Sequence, residues 1–303
     1  MTVERQAAAV FFTALGVSAA VAQIRQEEDF ARRAGLKGTS VITDPEGRAI
    51  EYKYVAPDGP TRAVAVLENG LGAALEGWDW VTRELRKQGI GVLTYHRRGY
   101  ARTKSQKRPA QLLEQLLRQC APEGPVLFVS HSIGALITAN ALAESAYLRD
   151  RAAGAVVVDG TDADLLAEDR RSPQRLGRFR QSTVLEILGS VTGLNRWVQS
   201  PTERDVEYVP DVQRAFLTTG SAPTTLLAAH REYRTEPTSG QAALAASGLP
   251  ATVLAAADNI EQQRELATKL GAKFEVIEAS SHRSIIGRPA CAHDVCEAVG
   301  RML

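Results

Sequence analysis

Apolar and polar positions along this chain follow two periods. From residue 39 to 67, short apolar-rich runs read as three strands, parted by the turn-forming stretches Asp44-Pro45-Glu46-Gly47 and Pro57-Asp58-Gly59-Pro60. The sheet therefore begins antiparallel. Further apolar runs near 90 to 95, 125 to 130, 154 to 159, 251 to 256 and 273 to 278 alternate with stretches of helical period. Such alternation predicts right-handed βαβ crossovers and an α/β fold with a mostly parallel sheet of eight strands. The interval from about 161 to 247 is too long for one crossover and holds helical pieces, among them Ser182 to Val191 and Val212 to Leu217, with no strong strand run. It reads as an insertion.

The run Val126-Leu127-Phe128-Val129-Ser130-His131 stops at Ser132, and helix-forming sequence follows Ile133-Gly134. A buried strand that breaks sharply into a helix at a serine has the geometry of a nucleophile elbow, with the hydroxyl exposed at the sheet edge and the N–H of Ile133 aimed at whatever Ser132 attacks. Small residues are needed two before and two after the apex; Gly134 meets that need, and Ser130 stands where the G-x-S-x-G pattern has its first glycine. The alternative for Ser132 alone is a helix cap.

An attacking serine needs a base, and the base needs an orienting group. Asp258 follows the strand-like Thr252-Val253-Leu254-Ala255. His282 follows the alternating run Lys273 to Glu278, ahead of a last helix opened by Pro289. Asp159, at the end of Ala155-Val156-Val157-Val158, is the rival acid. The order Ser132, Asp258, His282, each after a strand, resembles the triad of the α/β-hydrolase superfamily, and the resemblance extends from about Thr39 to Leu303. Val66-Leu67-Glu68-Asn69-Gly70-Leu71-Gly72 is similar to that family's His-Gly loop after the third strand, with Asn69 in place of histidine; by this match Leu71 carries the second oxyanion N–H. Tyr95-His96-Arg97-Arg98-Gly99-Tyr100-Ala101-Arg102-Thr103 resembles the family's D-x-R-G-x-G-x-S turn. There His96 takes the Asp position, Ala101 the second Gly and Thr103 the Ser, and Arg98 and Gly99 match as scaffold. The family more often uses the later acid, which favours Asp258.

The resemblance implies a serine hydrolase acting on a carboxylic ester or thioester through an acyl-enzyme on Ser132, with Asp258 and His282 completing the triad and Leu71 and Ile133 as oxyanion donors. It implies no metal and no organic cofactor. Residues 39–303 form the hydrolase domain and 161–247 a cap over the site. Acyl transfer on the same triad and a non-catalytic ligand-binding or interaction protein are the alternatives. Haloalkane dehalogenase and epoxide hydrolase chemistry is disfavoured, because those relatives need an aspartate at Ser132.

At 303 residues and 44% hydrophobic, the chain can bury a large core. With 36 Lys+Arg against 35 Asp+Glu, the formal net charge of +1 creates no field that would draw nucleic acid. Three cysteines are too few for a disulfide framework and suit a reduced, cytoplasmic setting. Cys291, His293 and Cys296 share no helix face and read as ordinary residues of the last helix. Asp162, Asp164, Glu168 and Asp169 precede Arg170, Arg171, Arg175, Arg178 and Arg180, which read as a solvated, self-paired face; the sharper alternative is an arginine cluster preferring anionic substrates such as a phosphopantetheine thioester. His230 reads as structural, with pocket lining as its alternative.

Residues 1–38 lie outside the hydrolase pattern. Ala7 to Ile24 carries no charge, and Val10, Val17, Val21 and Ile24 fall along one side of a helix, so this extension is read as a helix packed on the core or a partner. The alternative is an export signal or membrane anchor through residues 1–24, since Ala20-Val21-Ala22 resembles a small-residue cleavage site.

Overall fold

The computed structural model describes residues 38–192 and 205–303. The N-terminal extension, apart from Gly38, therefore lies outside the described residues. Eight strands form one sheet in the order β1-β2-β4-β3-β5-β6-β7-β8, where β1 is Ser40–Thr43, β2 Ala49–Val55, β3 Ala63–Glu68, β4 Ile90–Tyr95, β5 Val126–His131, β6 Ala152–Val158, β7 Ala251–Ala256 and β8 Lys273–Ile277. Only the β1–β2 and β2–β4 pairings are antiparallel. The expected eight-stranded, mostly parallel sheet is present, and its strands begin and end within two residues of the expected positions.

Both faces of the sheet are covered, which is why the central strands read as unbroken apolar runs. Alternate residues point to opposite faces. Val64, Val66, Val126 and Phe128 join one core with Leu112, Leu113, Leu116 and Leu117 of the helix Pro109–Cys120, whose apolar side faces the sheet. Ala65, Leu67, Leu127 and Val129 join the other with Val81 and Leu85 of the helix Asp79–Lys87 and Val295 and Val299 of the helix Pro289–Gly300. Cys291 and Cys296 are buried on that last helix while His293 is exposed, so the three share no face. Among the described residues no group of His, Cys, Asp and Glu is arranged to hold a metal ion.

Between β6 and β7 the chain is helical among the described residues. Short turns at Ala163–Leu165 and Leu166–Arg170 lead to Pro173–Thr192, and Pro210–Ser221, Pro223–Thr235 and Gly240–Ala246 follow. Proline opens three of these helices at a position where its missing N–H costs nothing. The expected helical pieces are parts of the longer helices Pro173–Thr192 and Pro210–Ser221. No helix of the described residues is long and apolar enough to cross a membrane.

Candidate active site

Strand register places the first two groups. His131 of β5 lies opposite Val158 of β6, so Ser132 and Asp159 leave adjacent strands side by side. Both turn sharply: Ser132 has φ 56° and Asp159 φ 45°, left-handed conformations that cost a non-glycine residue about 1 kcal/mol or more. The Ser132 N–H donates to Val158 O, and the Thr161 N–H donates to Ser132 O at 2.9 Å, which ties the two turns together. Gly134 is required by packing. A Cβ there would lie 2.7 Å from Glu68 O and 2.8 Å from Asn69 O, so a glycine two residues past the serine lets the following helix, Gly134–Glu144, sit against β3.

His282 comes from the loop after β8. Its Nε2 lies 3.1 Å from Ser132 Oγ, and its Nδ1 is hydrogen-bonded to Asp159 Oδ2. Asp159 is fully buried at the side chain, whereas His282 remains 47% exposed. Burial alone would raise the Asp159 carboxyl. The hydrogen bond and charge of His282, with the amide of Asn259, outweigh it and hold the carboxyl below its usual range.

The carboxylate brought to His282 is Asp159 and not the Asp258 expected from sequence. While His282 Nδ1 is bonded to Asp159, Asp258 is exposed in the loop after β7. Its neighbour Asn259 turns inward instead, donating from Nδ2 to Asp159 Oδ1 at 3.0 Å, and the Ala256 N–H donates to the same oxygen at 3.3 Å. The reason is lateral: β6 lies between β5 and β7, so its end is one strand from Ser132 and the end of β7 is two. Gln263 fastens the Asp159 turn by accepting from the Gly160 N–H and donating to Gly160 O.

Sequence reasoning passed over His131. Its Nε2–H donates to the His282 carbonyl oxygen at 2.7 Å, and its ring lies against the His282 ring with centroids 4.7 Å apart. Burial, helped by the nearby His282, pushes its pKa down to about 3, so it stays neutral and anchors the loop that carries His282.

Among the described residues no acceptor takes the N–H of Leu71 or of Ile133, the two amides expected to face the reacting atom. Leu71 packs with Ile133, Leu136, Ile137, Ala163, Leu166 and Tyr233, an apolar cluster beside the serine. Asn69 is buried and directs its amide to Tyr95 O.

In the turn after β4 the buried arginine is Arg97, which the motif match left out, while Arg98 is exposed and offers only its carbonyl to Arg231. Arg97 Nη1 donates to Glu68 Oε1 and Asn69 O, its Nη2 to Gly70 O and Glu232 Oε2, and its Nε to Glu232 Oε1. His96 bonds through Nδ1 to Glu51 and through Nε2 to the Leu75 N–H. Ala101 has φ 42°, which accounts for the glycine the family pattern has there. Among the described residues, the acidic residues at the start of the insertion pair mainly outside the arginine run: Lys269 binds both Asp162 and Asp164, while Arg175 pairs with Asp169. Arg171 donates to Tyr233 O and His230 stacks on Phe179, so both serve packing within the insertion.

A serine on a strand-to-helix turn, a histidine within hydrogen-bond reach and a buried carboxylate behind it thus meet at the C-terminal edge of the parallel part of the sheet, where α/β folds place their binding sites. The chain belongs to the alpha/beta hydrolase family, whose model matches residues 65–292. It is similar to a carboxylesterase of the ammonia-oxidizing thaumarchaeon Nitrososphaera gargenis, at 19% identity and a TM-score of 0.65, covering 86% of this chain and 97% of that one. A bromoperoxidase from Bacillus anthracis is similar at 16% identity and TM-score 0.64, over 87% and 99% of the two chains. A thermophilic esterase from Thermogutta terrifontis follows at 19% and 0.62, over 86% and 96%. At such identities these likenesses speak to the fold. No curated protein matches the chain by sequence.

Proposed function

We propose that this protein is a serine hydrolase that cleaves a small carboxylic ester or thioester through an acyl-enzyme on Ser132. The observation that carries the reading is the hydrogen-bonded chain from Ser132 Oγ through the His282 ring to Asp159. In this mechanism His282 Nε2 takes the hydroxyl proton as Ser132 attacks the carbonyl carbon. Asp159 keeps the second proton on Nδ1 and stabilises the imidazolium. The N–H groups of Leu71 and Ile133 receive the oxyanion, and His282 returns the proton to the leaving alcohol or thiol. Water, deprotonated by His282, then releases the acid. The esterase relatives support the ester class, and the apolar cluster around Leu71, Ile133 and Tyr233 suits an uncharged acyl group.

Residues 39–303 are taken as the hydrolase domain and the helical insertion, about 161–247, as its cap. Three cysteines that form no disulfide support a cytoplasmic place. The test is a panel of p-nitrophenyl esters and acyl-coenzyme A thioesters of two to twelve carbons, with and without an added alcohol acceptor. Acid release that disappears in Ser132→Ala supports hydrolysis. Ester product formed in preference to acid would make the protein an acyltransferase, and no turnover of any substrate would favour a binding role.

A further inference from the structure

The loop that carries the Leu71 N–H is gripped from a distance by the insertion. Arg97 is 3% exposed, and its guanidinium has five N–H donors, each of which is used. One of them meets Gly70 O at 3.0 Å. That carbonyl and the Leu71 N–H belong to one planar, trans peptide unit and point in opposite directions. Fixing the oxygen on Arg97 therefore aims the Leu71 N–H away from Arg97. The next peptide is held as well, because the Gly72 N–H donates to Tyr100 Oη at 3.3 Å.

Both grips end on one carboxylate. Glu232, on the insertion helix Pro223–Thr235, accepts from Arg97 Nε at 2.8 Å, from Arg97 Nη2 at 3.0 Å and from the Tyr100 hydroxyl at 2.5 Å. The neighbouring carboxylate, Glu68, binds Arg97 but also takes the Tyr95 hydroxyl, and it lies on β3. Glu232 thus ties the insertion to the loop by hydrogen bonds, beside the apolar packing of Leu71 against Ala228 and Ala229. Burial works against the Arg97 charge, yet Glu232 and Glu68 hold the guanidinium well above its ordinary range. Removing Glu232 would leave Arg97 paired with Glu68, so the cluster keeps a neutral ion pair and the chain keeps a route to folding.

We propose that Glu232 is a positioning residue for the reaction: through Arg97 and Tyr100 it aims the Leu71 N–H, so that oxyanion stabilisation depends on the insertion being docked. The inference rests on the serine hydrolase reading. It makes the insertion part of the transition-state machinery as well as a cover over the substrate.

The test compares Glu232→Ala, Tyr100→Phe and the control Arg234→Ala, an exposed residue on the same helix. Turnover is counted per active site by titration with a fluorophosphonate. Affinity is measured for a trifluoromethyl ketone, whose adduct with the serine carries an oxyanion. Glu232→Ala should lower kcat roughly tenfold to a hundredfold, less than outright loss of a donor. KM should stay within about twofold, and ketone affinity should fall by the same factor as kcat/KM, with Tyr100→Phe following in part. A role in stability alone would leave kcat per titrated site and ketone affinity unchanged, and that result overturns the positioning role. So does an equal loss in Arg234→Ala. A wild type that neither turns over esters nor labels overturns the hydrolase reading and this inference with it.

Discussion

Replacing Asp159 with asparagine removes the negative charge behind His282 while keeping the side chain's size. Its effect follows from the hydrogen bonds around it. Oδ1 of Asp159 already accepts from the Asn259 amide and the Ala256 N–H. An asparagine here keeps its oxygen on that side and turns its NH2 toward His282. Nδ1 must then accept, so the imidazole proton moves to Nε2, the nitrogen that has to take the proton from Ser132. Both the tautomer and the stabilisation of the imidazolium are lost. Where the same exchange has been made in a triad of this type it lowers kcat about 10⁴-fold, which corresponds to roughly 5.5 kcal/mol in the barrier. Asp258→Asn, at an exposed position while His282 Nδ1 is bonded to Asp159, should stay within about twofold of wild type, as surface substitutions usually do. The assay is steady-state hydrolysis of p-nitrophenyl butyrate, with thermal melting to confirm that each variant is folded. Full activity in Asp159→Asn with loss in Asp258→Asn would refute the reasoning.

Two further predictions concern stability. Gly134→Ala forces a Cβ against the backbone oxygens of Glu68 and Asn69, which no rotamer can relieve, and should cost about 1–3 kcal/mol, read as a lower urea midpoint. Burial pushes the Glu236 carboxyl up to about 7, with the nearby Glu232 and Glu68 charges adding to it against the Asn140 hydrogen bond. The folded state therefore binds this proton more tightly than the unfolded chain. Its contribution to stability is complete below about pH 4.3 and is lost as pH rises through 7, by up to about 3 kcal/mol. Urea unfolding should show Glu236→Gln more stable than wild type at pH 8 and nearly indistinguishable at pH 4; an unchanged difference between the two pH values would contradict this.

Much of the sheet could be read from the chain because a strand buried on both faces leaves an unbroken apolar run, as at Val126 to Val129 and Ala155 to Val158. The elbow was legible for a similar reason, since Gly134 records the approach of the helix to β3. The acid was not. Asp159 and Asp258 both follow apolar strands, and the choice between them depends on which strand lies beside β5, a lateral order that one-dimensional spacing does not encode. Asn259 carried the only nearby hint, an amide next to the exposed Asp258. The Arg97–Glu232 pair was equally hidden: its members are 135 residues apart, and the motif match drew attention to Arg98, whose side chain faces solvent. Within the insertion, helix positions were only partly marked, because its helices pack on one another and on helices of the core such as Gly134–Glu144, so that each presents more than one apolar side. The helix expected near the N-terminus falls on residues outside those described.

The central claim is that Ser132 is a nucleophile activated by His282 and Asp159. Incubating the wild type, Ser132→Ala, His282→Ala and Asp159→Asn with a fluorophosphonate and weighing the intact proteins tests it most directly. The account predicts one added phosphonyl group on the wild type, none on Ser132→Ala and strongly slowed addition on the other two. A wild type that stays unlabelled, or a Ser132→Ala variant that labels at the same rate, would contradict it.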